Sequence, residues 1–348
     1  MSVLAEVVLG AMVMLAASNL ASLPPGMHEE PIWPFPVQLS LEAFQDPDLA
    51  WDVTQGLVLF GVGVALAFVG LFWRRVRWPA IVLGLGMGGI ALPHARLLLV
   101  PAYPTSFYTS PTGFDAVGIA DGARLFAQNC ASCHGADGRG DGPLAKRLDI
   151  PPADLTAPHL WEHSDGELFW WLTHGIDSPR GGLAMPGFAA TLDEGQRWAV
   201  IDDIRAHNAG VALGSAASWP DPVQAPALAA DCGGGQVVQL SDLRGKVVRI
   251  VVGPAVSSPD VPTIFLDPGA PKPDACVAAA PEVRAAYAII AGVTPDALAG
   301  TSFLIDANGW LRELRRPDDP ALTPATLAEA VRRFAPQPLA APAAAHHH

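Results

Sequence analysis

Charge is what this 348-residue chain has least of. Asp, Glu, Lys and Arg make up 16% of it, against roughly 25% in ordinary soluble domains, while hydrophobic residues make up 50%. A single soluble globule does not have this composition. Basic residues are the scarcer sign, 21 against 34 acidic ones, for a formal charge of −13; that excludes a nucleic-acid partner, which needs a basic footprint. Cysteine is also rare, and four residues are too few for a scaffold built on disulfides. Phosphate loops and dinucleotide fingerprints are absent, since the glycine-rich AADCGGGQVV precedes a strand and not a helix. No nucleophile–base pair stands out either, so substrate turnover by the chain alone is not expected. At about 150 residues per domain, the length points to two or three units.

The charge that is missing leaves long apolar runs. Residues 54–73, TQGLVLFGVGVALAFVGLFW, are uncharged and at about 1.5 Å per residue span a hydrocarbon core of ~30 Å. A second run begins at 79–93 and reaches spanning length, to about residue 100, if His94 and Arg96 lie near an interface. Arg74, Arg75 and Arg77 sit between them, which by the positive-inside rule turns that loop to the cytoplasm and both far ends outward. A third stretch, 3–23, has no basic n-region and carries Glu6; it is expected as a further membrane helix, with a cleaved signal as the competing reading. Segment 24–52 then becomes an external loop. Glycines 61, 63, 84, 86, 88 and 89 are small faces that let membrane helices approach.

Beyond residue 101 the character is that of polar turns and short elements. Residues 130–134 read Cys-Ala-Ser-Cys-His, the C-x-x-C-H of covalent c-type haem attachment. Two thiols one helical turn apart can each add across a vinyl group of one porphyrin, and the adjacent imidazole of His134 then lies beneath the iron. A redox C-x-x-C does not need that histidine, and no second C-x-x-C exists to complete a four-cysteine zinc site. A thioether opposite the histidine raises the reduction potential, and Met185 in the loop GGLAMPGF is the candidate, ahead of His159, His163, His174 and His207. The helix after it, with Thr191 and Glu194 spaced as a capping box and Trp198, Val200, Ile201 and Ile204 at helical spacing, can close over the haem edge.

Residues 106–212 resemble class I cytochrome c in CASCHG, GADGRGDGP, PPADLT, FWWLTHGI and AMPGF before a final helix. The resemblance implies an all-α haem domain holding one covalent haem c through Cys130 and Cys133, with His134 and Met185 as axial ligands of the iron. It makes Arg139, Trp170, Trp171, His174 and Arg180 haem-pocket or propionate neighbours. The order of segments around it, SVLAEVVLGAMVML, LASLPPG, a WPFP loop, two apolar runs and AYPTSFY, resembles the end of CopD-type copper-resistance membrane proteins that finish in a cytochrome c. Copper handling is therefore the alternative function, with Met27, His28, Glu29 and Glu30 in the outer loop as its candidate ligands.

Residues 213–225, rich in Pro and Ala, read as a linker into an α/β unit at 226–336. LSDLRGKVV and FLIDANG make this unit similar to thioredoxin-like redoxins. GPAVSSPDVP after the buried strand has no C-x-x-C, and Gly300 stands where such folds place a proline; without a thiol pair there is no disulfide exchange. Cys232 and Cys276, left over in an oxidising compartment, are expected to form a disulfide. Residues 337–348 read as a disordered tail, its three histidines a tag remnant or a native metal tract. The whole is expected as a multidomain membrane protein: a membrane anchor (1–105), the cytochrome and the thioredoxin-like unit, both on the periplasmic side of a bacterial inner membrane. There it would pass single electrons to redox partners and to other membrane subunits of a respiratory or photosynthetic complex.

Overall fold

The computed structural model describes residues 32–44, 47–216, 219, 222–253, 261–266, 275–320 and 323–334, with positions 10, 12–15 and 18 ahead of them. Most of the expected 3–23 helix, the candidate ligands Met27 to Glu30, and the tail lie outside the described residues.

Two helices, α1 (Pro47–Phe72) and α2 (Arg77–Ala95, prolonged by a 3-10 turn to Leu98), are long and apolar enough to cross a membrane. Both start earlier than the apolar runs that announce them; in α1 Asp48 stands in the first turn, where the helix dipole favours a carboxylate. Only 17% and 11% of their apolar windows are buried inside the protein, so neither is the core helix of a soluble fold. They pack on each other along a small-residue seam of Gly56, Gly63 and Gly70 against Ala80, Gly84 and Ala91. A methyl on Gly63 would stand 2.7 Å from the Gly84 carbonyl oxygen, so the backbones meet directly. A short antiparallel pair, β1 (Val37–Leu39) and β2 (Leu99–Pro101), ties the far ends together.

After β2, residues 102–108 run straight onto the next unit. Thr105 Oγ1 donates to the Gly166 carbonyl at 2.6 Å and Ser164 Oγ to that of Ser106 at 2.8 Å. This second unit is α3 (Ala116–Asn129), the one-turn α4 (Ala131–His134), α5 (Asp165–His174), a hairpin of β3 (Gly175–Asp177) and β4 (Leu183–Pro186), and the long α6 (Glu194–Ala216). Ser164 and Glu167 form a reciprocal cap on α5. On α6 the reciprocal cap is Asp193 with Gln196, and not Thr191 with Glu194 as the spacing suggested; the Thr191 hydroxyl is spent on the Phe188 carbonyl of the preceding turn.

The third unit is a seven-stranded sheet in the order β11-β10-β7-β8-β9-β5-β6. Its members are β5 (Ala229–Asp231), β6 (Val237–Gln239), β7 (Val248–Val251), β8 (Thr263–Phe265), β9 (Cys276–Val277), β10 (Ser302–Ile305) and β11 (Leu311–Arg315), with α7 (Pro281–Ile290) and α8 (Pro324–Phe334). Strands β7 and β8 are parallel, while β10 is antiparallel to β7 and to β11. That core of two parallel and two antiparallel strands is thioredoxin-like. Every residue of β7 and β10 is buried, as expected for strands covered on both faces. The β10–β11 turn falls at Ala307-Asn308-Gly309, with Gly309 at φ +89° and Asp306 Oδ1 accepting from the backbone of Asn308 and Trp310.

The stretch expected as a linker, 213–225, differs from that expectation. Helix α6 continues to Ala216, and Val223 and Ala225 are core residues. Proline spacing leaves the intervening amides free to bond on both sides: Ala225 donates to Gly309, Ala227 to Phe114, and the Ala227 carbonyl accepts from Ala116. The second and third units therefore share one apolar cluster, in which Ile119 and Ala206 meet Tyr287 and Ile290.

Candidate functional site: a haem-binding constellation

Helix α3 ends at Cys130 because the chain turns there into a single further turn, 131–134, whose carbonyls would be orphaned in a buried setting. A glycine loop folds back to meet them: Gly140 N donates to His134 O at 2.8 Å, Gly142 N to Cys133 O at 3.0 Å and Leu144 N to Ser132 O at 2.9 Å. Gly142 has no room for a side chain, since a methyl would lie 2.6 Å from the carbonyls of Cys133 and Ser132. The GADGRGDGP sequence is thus the shape that seats the Cys-x-x-Cys-His turn.

The same fold-back brings residues 152–155 alongside. His134 Nδ1 lies 3.0 Å from the Ala153 carbonyl, so the ring carries its proton on Nδ1 and keeps the Nε2 lone pair, which has no hydrogen-bond partner among the described residues. Burial lowers the imidazole pKa below its usual value and keeps the ring neutral, the form that binds a metal. Cys130 is buried and Cys133 half-buried, and neither is in a disulfide. Burial, then the charges of Asp203 and Cys133, push the Cys130 thiol up to about 12. A protonated, buried thiol is a poor partner for disulfide exchange.

Met185 sits in β4 across from Ile176 and packs on the apolar cluster that contains Cys130, Leu168 and Leu172. Two glycines hold this hairpin to α5. Gly175, at φ +83°, lies against the Met185 carbonyl, and a methyl on Gly187 would be 2.6 Å from the Thr173 oxygen. Around the same site large apolar side chains remain in the open, Leu144 at 40% and Leu183 at 62% exposure, a rim suited to covering by a flat apolar macrocycle. The donor set, the fixed imidazole and this rim all fit a haem.

The other residues expected near the cofactor divide. Trp171 joins the Cys130 cluster. Trp170 instead stacks on the exposed His174, ring centroids 3.8 Å apart, and on Tyr103 at 5.7 Å, facing the segment that leads from α2. Arg139 and Arg180 are exposed; the Arg139 charge acts on Asp154, whose carboxyl lies below its usual pKa chiefly through the Thr156 hydroxyl. Of the alternative histidines, His163 lies 3.5 Å from Glu167, and His207 Nε2 meets the Asp137 carbonyl at 3.1 Å.

Sequence reasoning missed the residues that pin the segment following Ala153. Asn208 of α6 donates to the Leu155 and Ala157 carbonyls and accepts from Trp161 Nε1 at 2.8 Å. One turn earlier Arg205 donates to the Leu160 and His163 carbonyls and pairs with Asp165 at 2.9 Å. The signal was the run of polar residues 202, 203, 205 and 208 interleaved with the apolar positions of the closing helix. The structure also joins Cys232, just after β5, to Cys276 of the neighbouring β9, S–S 2.00 Å. Gly300, at φ +79°, donates from its amide to Val252 O at 2.6 Å beside Gly253, a bond that a proline could not make. Residues 254–260, where a C-x-x-C would stand in a redoxin, lie outside the described residues, and their sequence holds no cysteine.

Residues 118–202 match the family described as cytochrome C oxidase, cbb3-type, subunit III. No curated protein matches the chain. Among solved structures it is similar to a reducing HAO-like protein complex of Kuenenia stuttgartiensis, at 22% identity over 37% of this chain and 58% of that one, TM-score 0.23. It is also similar to BsSco, a member of the Sco family of cytochrome c oxidase assembly proteins, at 12% identity over 34% of this chain and 96% of that one, TM-score 0.25. A third likeness is to a putative protein disulfide isomerase from Bacteroides thetaiotaomicron, at 19% identity over 32% and 86%, TM-score 0.22. The chain spans little more than half the length of the first of these. The family match lies wholly within the second unit and does not extend to the apolar helices, so a CopD-type context is not shown. What the chain does carry is a cytochrome c family domain at residues 118–202, and such a domain implies haem c.

Proposed function

We propose that this protein is a membrane-anchored c-type cytochrome that passes single electrons between redox partners, as a subunit of a larger electron-transfer complex. One observation carries the reading: on the Cys130-x-x-Cys133-His134 turn, the imidazole is held by the Ala153 carbonyl so that its other nitrogen is free for iron. Cys130 and Cys133 would hold one haem covalently and His134 and Met185 would ligate it. The bound haem supplies a one-electron ferric/ferrous couple, and the protein sets its potential and restricts access to its edge. Helices α1 and α2 would anchor the chain, with Arg74, Arg75 and Arg77 on the cytoplasmic side. Docking of residues 102–108 on α5 then supports a cytochrome at the outer surface, on the periplasmic side of a bacterial inner membrane. The thioredoxin-like unit, without a thiol pair at the redoxin position, would serve as a rigid docking partner of the cytochrome. Copper handling draws no support from the described residues, where no group of three His, Cys, Asp or Glu could hold a metal ion.

Expression with haem-maturation machinery tests the reading. The purified protein should show a haem absorbance that survives acid-acetone extraction and disappears in Cys130→Ala/Cys133→Ala; haem that extracts freely would overturn it. Met185→Ala should lower the reduction potential and abolish the sulfur-to-iron charge-transfer band while leaving attachment intact.

A further inference from the structure

We propose that Asp203 is a proton-binding site coupled to the electron carried by the cytochrome unit, so that one-electron reduction draws a proton onto its carboxylate through the cavity it faces. The inference rests on the haem reading above. Asp203 lies on α6 where that helix crosses α3 at closest approach; a methyl added to Gly122 would stand 2.9 Å from Asp203 Cβ. Its residue is 6% exposed, and no described residue gives the carboxylate a hydrogen bond or an ion pair. The contrast with its neighbour is sharp. Asp202, also buried, points the other way and accepts from the hydroxyls of Ser110 and Thr112, which makes it an anchor for the chain entering α3. Asp203 has no such work.

What Asp203 does have is space. It lines a cavity of about 160 Å³, whereas a water needs about 10–15 Å³, so several waters fit. Apart from His207 the rest of the wall is apolar, with Ala123 and Phe126 from α3 and Ile289 from α7, and the cavity reaches Ala131 and Ala136 on either side of the Cys133-His134 pair. An ionised carboxylate in such walls is costly unless a cation or a proton joins it. No lysine or arginine lines the cavity, and the proton is what water can deliver. Burial accordingly raises the Asp203 carboxyl to about 7, and its charge is felt at Cys130.

The coupling follows from charge. An oxidised haem on Cys130 and Cys133 carries one positive charge more than the reduced one and favours the Asp203 anion; loss of that charge on reduction favours the acid. Each electron accepted from a redox partner is thus matched by uptake of up to one proton from water, released when the electron leaves. Other titratable groups facing the site are few. From α3 comes Cys130, a thioether once haem is attached; from α6 comes His207, which also lines the cavity. The loop offers the backbone carbonyl of Asp137, already used by His207, and α7 offers only Ile289.

The test is a spectroelectrochemical titration of the full haem-bearing chain in detergent between about pH 5.5 and 8.5. In the wild type the midpoint potential should fall as pH rises through neutrality. Asp203→Asn, which keeps the shape, should flatten that fall with an unchanged haem spectrum, while His207→Gln should keep it. A pH-indicator dye should record proton uptake on electrochemical reduction in the wild type and not in Asp203→Asn. A wild-type potential independent of pH, or an undiminished slope in Asp203→Asn, overturns the proposal. A chain that attaches no haem fails at the absorbance stage, before any titration, and overturns the functional reading itself.

Discussion

Gly210 of α6 and Gly292, just beyond α7, touch backbone to backbone: a methyl on Gly210 would lie 2.9 Å from Gly292 N, and one on Gly292 would lie 2.5 Å from the Gly210 carbonyl oxygen. This is where the cytochrome unit and the thioredoxin-like unit lock together. Gly292, at φ +65°, needs glycine for its conformation as well.

Gly210→Val should therefore force the helices apart and cost about 1–3 kcal/mol of docking stability. Scanning calorimetry on the wild type should give one cooperative transition for the two units, and the variant should separate them into two. A single unshifted transition in the variant would show that the contact is not energetically coupled.

In the apolar hairpin, Gly63→Leu should separate α1 from α2, because the added side chain meets the Gly84 carbonyl and the Met87 side chain. Cysteines placed at Ala67 and Ala80 should cross-link readily in the wild-type background and poorly in Gly63→Leu. The exposed Gly61, one helical face away, should tolerate leucine with no change in cross-linking.

The Cys232–Cys276 bond closes a loop of 44 residues, which on chain-entropy grounds corresponds to about 4 kcal/mol of stabilisation. Mild reduction should lower the unfolding temperature of the third unit and leave the haem absorbance unmoved. Mass spectrometry of the non-reduced chain should find neither thiol alkylatable.

Asp202 is expected to shape the pH dependence of stability. Burial raises its carboxyl from 3.8 to about 7, against the opposing pull of the Thr112 hydroxyl. A carboxyl raised in the folded state contributes its stabilising effect fully below pH 3.8 and loses it as pH rises through about 7. Unfolding temperature should fall across that window, and Asp202→Asn, which can still bond Ser110 and Thr112, should flatten the fall.

The local structural pattern was legible in the chain itself. A Cys-x-x-Cys-His turn, a glycine loop behind it and a Met in a Gly/Pro loop before an amphipathic helix are short-range patterns, and the structure seats them as one-turn helix, fold-back and hairpin. The two apolar runs were legible for the same reason, since a helix long and apolar enough to span a membrane satisfies its own backbone and shows as composition alone. Other expectations turned on which of several similar groups wins a contact, and there the sequence was ambiguous. Thr191 and Asp193 are both good caps, and the carboxylate takes the helix because the hydroxyl has a nearer carbonyl.

What only the tertiary structure decided depends on residues far apart in sequence. The carbonyl that orients His134 belongs to Ala153, and no side-chain pattern announces a backbone oxygen; the segment that follows it is tied to α6 by Asn208, which donates to the Leu155 and Ala157 carbonyls. The Pro/Ala stretch after α6 became core because its free amides reach Gly309 on one side and Phe114 on the other. Asp202 and Asp203 are adjacent and chemically identical, yet helical geometry sends one to two hydroxyls and the other into a cavity beside the Cys-x-x-Cys-His turn. Sequence determined which groups the protein carries, because spacing and composition are local; packing decided which are satisfied and which are left to bind, because burial and hydrogen bonding are properties of the assembled chain.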